Sequence, residues 1–223
     1  MSAGYFVTGT DTGVGKTLVS AALLLLLARR LERVVGMKPV ASGCVESGSG
    51  LRNDDARLLI AASSIEVDYA DVNPYAFAPA IAPHLAAEEA GVRIELETVL
   101  NHFEHLRTKA DCVVVEGVGG WMVPLGHILT TEHLAKALNL PVVLVVGLRL
   151  GCLNHALLTA RAIEAAGLHL AGWVANAIDP DMERVNDNLR TLTKRLNAPF
   201  LGAVPWVDNA SPEAVSQFLA APE

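Results

Sequence analysis

Three observations predict a doubly wound α/β fold, a mostly parallel sheet with helices on both faces. Strand-like and helix-like runs alternate along the whole chain. Most strand-like runs are nearly continuous Val, Leu and Ile, as in strands covered on both sides. A glycine-rich turn joins the first strand to the first helix, where such sheets gather their ligands. With 223 residues, 52% hydrophobic and 18% charged, the chain fits one domain over residues 1–223 with a large core.

The elements follow in order. A strand is expected at 5–8 and a helix at 16–31. The apolar stretch 18–28 of that helix is bounded by Lys16 and Arg29–Arg30 and falls short of the about 20 residues that cross a bilayer. A second strand, 33–38, stops before Pro39, which holds Lys38 extended. Helix 54–62 opens on Asn53, Asp54 and Asp55, residue types that cap helices. Helix 94–109 leads into strand 112–116, and helix 131–138 into strand 142–146. Helix 154–166 is stopped by Gly167 and followed by strand 170–176. Pro180 and Asp181 open helix 181–196, and a short strand, 201–204, comes last. Between about 70 and 91, Pro74, Pro79 and Pro83 argue against a regular helix or central strand. A loop of that length is expected to serve as a lid or at an interface.

Composition narrows the function. Net charge is -7 with no basic block, which excludes a nucleic-acid partner but leaves small anionic substrates open, because a few lysines in a cleft dominate locally. Cys44, Cys112 and Cys152 are odd in number and form no CxxC, so neither a disulfide scaffold nor a zinc ribbon is expected. The first strand begins within a few residues of Met1, with no charged-then-apolar leader. A cytoplasmic protein without a membrane partner is expected. The seven histidines form no metal cluster, and His102 and His105 are expected as surface residues sharing a helix face.

The turn reads YFVTGTDTGVGKT, residues 5–17. Its end, Gly15-Lys16-Thr17, is that of a phosphate-binding loop, G-x-x-x-x-G-K-[ST], yet the leading glycine is Gly9 and Thr10 stands where the pattern wants it. N–H groups at the helix start would face a polyphosphate. Gly13 and Gly15 let the backbone curl, Lys16 would reach the β- and γ-phosphates, and Thr17 would bind Mg²⁺. The extra residue puts Asp11 and Thr12 at the crest, from where their side chains are expected to address a second substrate.

Other candidates sit at strand ends. In CVVVEGVGGW, residues 112–121, Glu116 is placed to bind Mg²⁺, and Gly117, Gly119 and Gly120 leave room for a ligand. Lys38 would project into the same cleft as Lys16, a cation pair suited to phosphoryl transfer. Either Asp54 or Asp55 could complete a Mg²⁺ shell, and both are also ordinary capping residues. Cys152, Leu153 and Asn154 open a helix whose N–H groups suit a carboxylate, although such a start can be a plain cap. Cys152 has no His/Asp set to make it a nucleophile. Asn176, at a late strand end, offers an amide that can pair with adenine, and is also a common turn residue.

Together the segments YFVTGTDTGVGKT, KPVASG, LRNDDA, DVNPYAF, VEGVGGW, GCLNHALLTA, LAGWVAN and GAVPW resemble dethiobiotin synthetase, a P-loop NTPase-like, ATP-dependent carboxylase of biotin synthesis. The likeness is weakest beyond Trp206. It implies that Gly13, Val14, Gly15, Lys16, Thr17 and Leu18 bind ATP phosphates beside Gly117 and Gly119. Thr17, Asp55 and Glu116 would hold Mg²⁺, and Lys38 would be the catalytic lysine with Lys16 beside it. Thr12 and Ser42 would contact the diamine substrate. Asn176, Pro205, Trp206 and Val207 would hold adenine. Cys152, Leu153 and Asn154 would grip the substrate carboxylate from the neighbouring subunit of a homodimer. The family often carries an acidic residue where this chain has Gly13. The implied reaction joins 7,8-diaminopelargonic acid and CO2 at the expense of ATP. The rival is a dimeric partition-type switch ATPase of the same fold, which carries a lysine where this chain has Asp11.

Overall fold

In the computed structural model, which describes residues 4–222, side chains along the longer strands alternate between two apolar layers. The chain begins with β1 (Gly4–Gly9), α1 (Lys16–Leu27), β2 (Val34–Met37), β3 (Val40–Ser42), β4 (Val45–Ser47) and β5 (Gly50–Arg52). It continues with α2 (Asp54–Ala62), α3 (Tyr69–Val72), β6 (Tyr75–Phe77), α4 (Pro83–Glu89), α5 (Leu96–Lys109) and β7 (Cys112–Glu116). Then come α6 (Thr131–Leu138), β8 (Val142–Leu148), α7 (Cys152–Ala165), β9 (Leu170–Ala177), α8 (Val185–Arg195), β10 (Phe200–Val204) and α9 (Pro212–Ser216).

The main sheet is parallel throughout, in the order β10-β9-β8-β1-β7-β2. Tyr5, Val7, Val114, Val143 and Val174 join the layer that includes α1 and α2, while Phe6, Val115, Leu144 and Trp173 join the layer that includes α5, α6 and α7. Burial on both faces explains why the strands carry unbroken Val and Leu. β1 lies between β7 and β8, so three carboxyl ends converge on the turn after β1. The predicted doubly wound fold is therefore the one observed.

Several expected boundaries move, each for a local reason. The first helix ends at Leu27, because Arg29 and Arg30 bond to carbonyls three residues back and tighten the last turn. Helix α7 starts two residues early, at Cys152, because Gly151 adopts the left-handed conformation that turns the chain. Helix α8 starts late, at Val185, since Asp179 Oδ1 takes the Asp181 N–H and holds a turn where a helix was expected. The segment 70–91 is more regular than its prolines imply. Pro83 opens α4 at a position where its missing N–H costs nothing, and β6 pairs in parallel with β3. The β4–β5 hairpin and α9 were not expected; Ser211 caps α9 and Pro212 follows it, a start signal present in the sequence.

Candidate active site

The loop between β1 and α1 folds around its own lysine. Gly13 and Gly15 have φ of 73° and 87°, a region open to glycine. A Cβ on Gly13 would meet nothing within 4 Å, so backbone conformation rather than space favours glycine there. Val14 is buried against Gly9 and Gly147: Cβ atoms on those glycines would lie 2.6 and 2.8 Å from its methyl groups. Gly9 thus serves as the bed for Val14 and Lys16. Lys16 Nζ donates to Asp11 O at 3.1 Å.

The crest departs from expectation at Asp11. Its carboxylate pairs with Arg149 and accepts the Thr12 N–H at 2.7 Å, so it is tied to the loop after β8 and to its own backbone. That N–H bond and Arg149 hold the Asp11 carboxyl below its usual range. Thr12 is exposed, and its Oγ1 is 3.4 Å from where a Cβ on Gly119 would stand. A Cβ on Gly120 would lie 3.6 Å from Gly9 O and 4.0 Å from Asp11 Cα, beneath the crest.

Lys38, at the end of β2, is buried. Its Nζ lies 2.5 Å from Glu116 Oε1, 2.9 Å from Asp55 Oδ2 and 3.4 Å from Gly117 O. Burial opposes its charge, but Glu116 and Asp55 outweigh that, and the ammonium is held above its ordinary range. Asp55 is depressed: burial raises it, and the attraction of Lys38 more than offsets this. Of the two aspartates, Asp55 faces Lys38 while the Asp54 side chain is exposed. Lys16 is pushed down to about 8 by burial and by the like charge of Lys38.

Thr17 Oγ1 donates to Glu116 Oε1 at 2.9 Å and lies within hydrogen-bonding reach of Asp55. Glu116 Oε2 is buried without a partner among the described residues. Two carboxylates, one of them with an orphaned oxygen, and a hydroxyl are hard oxygen donors suited to Mg²⁺, which keeps several waters and takes further oxygens from phosphate. Among the described residues no group of three or more His, Cys, Asp or Glu is placed to chelate a metal without such help.

Around this centre lie the remaining candidates. Ser42 Oγ, ending β3, is buried and unpartnered among the described residues. Asn176, the penultimate residue of β9, pairs with Val204, so the exposed Pro205, Trp206 and Val207 come just after the neighbouring strand. Asn176 Nδ2 donates to Val14 O at 2.9 Å, which joins the late strand to the phosphate loop. Leu18 packs at the rim of the α1 layer. Cys152, Leu153 and Asn154 form the first turn of α7; the Cys152 thiol is buried, and its N–H already bonds Arg149 O at 3.0 Å. His102 and His105 do share a face of α5, where both meet Asp71. The sequence reading assigned nothing to Arg149, Tyr69 or Asn73. Arg149 carried a signal, a basic residue at the tip of a strand next to β1.

A family model described as an AAA domain matches residues 3–214. A relative named ATP-dependent dethiobiotin synthetase BioD, from Xanthomonas campestris pv. campestris, is 54% identical over 98% of each chain. Relatives of the same name from Xanthomonas axonopodis pv. citri and Xylella fastidiosa are 56% and 55% identical over 91% of this chain and 90% of theirs. Among solved structures, a ParA family ATPase from Chlorobium tepidum aligns with a TM-score of 0.55 at 17% identity, covering 97% of this chain and 91% of the other. The MinD cell division protein of Aquifex aeolicus aligns with a TM-score of 0.55, also at 17% identity, over 90% and 80%. Those two share the fold alone. The relatives at more than half identity extend that likeness to sequence along nearly the whole length, and the chain belongs to the ATP-dependent dethiobiotin synthetase family.

Proposed function

We propose that the chain, as a single catalytic domain, converts 7,8-diaminopelargonic acid, CO2 and ATP into dethiobiotin, ADP and phosphate. The observation that carries this reading is the meeting of Lys16, Lys38, Glu116 and Thr17 at the ends of adjacent parallel strands. One amine of the substrate adds to CO2 and loses a proton, giving a carbamate. The carbamate oxygen takes the γ-phosphoryl group of ATP, and ADP leaves. The second amine then attacks the carbonyl of this mixed anhydride; the C–O bond to phosphate breaks and the ureido ring closes.

The chemistry brings three anions together: carbamate, polyphosphate and the far carboxylate. Lys16 and the N–H groups of the loop would hold the phosphates, and Lys38 would offset charge on the oxygens of the transferring group. Thr17, Asp55 and Glu116 would hold Mg²⁺, which when bound neutralises phosphate charge. The carboxylates that now hold Lys38 are the same ones the metal would use. Thr12 and Ser42 would meet the diamine; Asn176 and residues 205–207 would meet adenine. With one Asn176 N–H given to Val14 O, its Oδ1 remains to accept from an amino group.

The far carboxylate would meet the first turn of α7 from a second subunit. In support, Leu150, just before that turn, is 96% exposed, and Leu158 of α7 is exposed as well, apolar surface suited to a homodimer. Ring closure is intramolecular, and holding the chain by its end would supply several kcal/mol, up to about 7–11. A cytoplasmic setting is in keeping with Cys44, Cys112 and Cys152 as free thiols. Among the described residues, no helix is long and apolar enough to cross a membrane.

The test is ATP turnover with each substrate withheld in turn. Phosphate release is expected only when the diamine and bicarbonate are both present. Brisk hydrolysis without the diamine would overturn the reading in favour of a switch ATPase.

A further inference from the structure

Segment 69–77 supports the cleft through the backbone of Lys38. The Lys38 N–H donates to Val72 O at 2.8 Å. Asn73 Nδ2 donates to Lys38 O at 2.7 Å and to Tyr75 O at 3.2 Å. Both polar backbone groups of Lys38 are thus fixed by α3 and the residue after it. The Asn73 amide is itself oriented, because its Oδ1 accepts the Tyr69 hydroxyl at 2.9 Å.

The same Tyr69 oxygen has a second partner. It accepts the N–H of Asn53 at 2.7 Å. Asn53 is the cap of α2: its Oδ1 takes the Ala56 N–H at 3.2 Å. Asp55, which pairs with Lys38, stands in that first turn. One hydroxyl therefore joins two arms, one ending at the Lys38 backbone and the other at the helix that presents Asp55. The ring of Tyr69 lies 4.1 Å under the Arg52 guanidinium. Burial pushes its phenol up, so the donated proton stays in place. On its other side α3 is clamped to α5, where Asp71 meets His102 at 2.9 Å, His105 at 3.4 Å and Lys109 at 3.8 Å.

We propose that Tyr69 and Asn73 are positioning residues for the reaction, a relay that holds Lys38 and Asp55 in register at the reacting phosphate. The inference rests on Lys38 being the catalytic lysine. Asn73 is buried and spends its hydrogen-bonding groups on one carbonyl on each side and on Tyr69, so the relay has few other conformations. A displacement of about 1 Å at a reacting group is enough to cost about a hundredfold in rate, so a modest slackening is visible in turnover.

Tyr69→Phe keeps the ring under Arg52 and deletes only the junction hydroxyl. kcat is expected to fall about tenfold, the effect of leaving a buried partner unpaired. The Kd for ATP, measured by calorimetry without Mg²⁺ or the diamine, is expected to stay within about twofold, because the phosphate loop makes none of these bonds. Asn73→Ala should show the same split. The double variant should lose less than the product of the two single losses, since both variants slacken the arm that ends at Lys38. Full turnover in Tyr69→Phe, a loss of ATP affinity equal to the loss of kcat, or losses that multiply in the double variant would each overturn the proposal. Lys38→Ala separates the two levels. If it is inactive while Tyr69→Phe runs at full rate, only the relay fails; if it turns over normally, the reading of Lys38 fails first.

Discussion

Lys16 and Lys38 bring like charges into one cleft, and the protein treats them in opposite ways. Lys38 is neutralised twice, by Glu116 and Asp55, and keeps its proton above the ordinary lysine range. Lys16 is buried beside that charge, its ammonium donating to the Asp11 carbonyl, and its pKa falls to about 8. The difference gives a pH prediction. In the nucleotide- and metal-free enzyme Lys16 loses its proton above pH 8, and bound phosphates draw the proton back. ATP affinity is therefore expected to be flat below pH 8 and to decline above it, with uptake approaching one proton at about pH 9. Calorimetry in two buffers of different ionisation enthalpy reads this directly; no uptake at pH 9 would contradict it. For stability the sign is opposite to that of a paired lysine. The unfolded chain binds the proton more tightly, so charged Lys16 opposes folding below pH 8, and the opposition fades as pH rises towards 10.5. At Lys38 the expected effect is on turnover. Lys38→Ala should lower kcat about 10²–10³-fold, the range for removing one preorganised donor, in a steady-state assay at saturating ATP. Near-normal turnover would remove Lys38 from the chemistry. Both lysines were legible in the sequence because each is fixed by a neighbour of unusual chemistry, Gly15 before one and Pro39 after the other. Asp11 was misread because its partner, Arg149, is distant in sequence and meets it only when β8 lies beside β1.

At the scale of elements, the phosphate loop depends on contacts that no local pattern reveals. Gly15 is held at φ 87°, and a Cβ there would lie 2.2 Å from Asn176 Nδ2, the atom that bonds Val14 O. Gly15→Ala would thus strain the backbone and push Asn176 off the loop. A left-handed alanine costs about 1–2 kcal/mol, and the lost bond and displaced amide add to it. ATP affinity is expected to fall more than about tenfold, with a smaller loss in melting temperature, and nucleotide titration beside a thermal melt separates the two. The boundaries of β7, α2 and α6 could be read from sequence because apolar runs and caps agree there. Segment 70–91 could not. Strands of three residues have no visible period, and Pro83 marks a helix start as readily as a break. The segment expected to serve as a lid or at an interface is pinned to the cleft: β6 pairs with β3, and Pro79 O accepts the Gly43 N–H at 3.0 Å.

At the scale of the molecule, the parallel sheet follows from chain alternation, but what closes its edge does not. After β10 the chain folds back and covers α1. Gly202, at φ 144°, bridges Leu219; a Cβ there would lie 2.0 Å from Phe218 O. Ala220 donates to Leu201 O at 2.7 Å, and the Tyr5 hydroxyl donates to Pro222 O at 3.3 Å, so the end of the chain is bonded back to β10 and to β1. Val215 and Leu219 enter the layer that holds α1. This region was where the family likeness was weakest, and its contacts with α1 span most of the sequence, beyond the reach of any window of residues. Deleting 211–223 would remove those two side chains from the layer and expose the face of α1 beneath them. At about 1.5–3 kcal/mol each, the loss is about 3–6 kcal/mol. For a chain of this size, with about 2–4 °C per kcal/mol, the melting temperature should drop by about 6–24 °C. The phosphate loop lies at the opposite end of α1 from Arg29, whose guanidinium contacts Ser216. Bound ATP should therefore still raise the melting point of the truncated chain, by mass action on the folded state. A truncated chain that melts with the full-length protein would show that the C-terminal strap contributes nothing to the core. One that melts low and gains nothing from ATP would show that α1 needs the strap to present its loop.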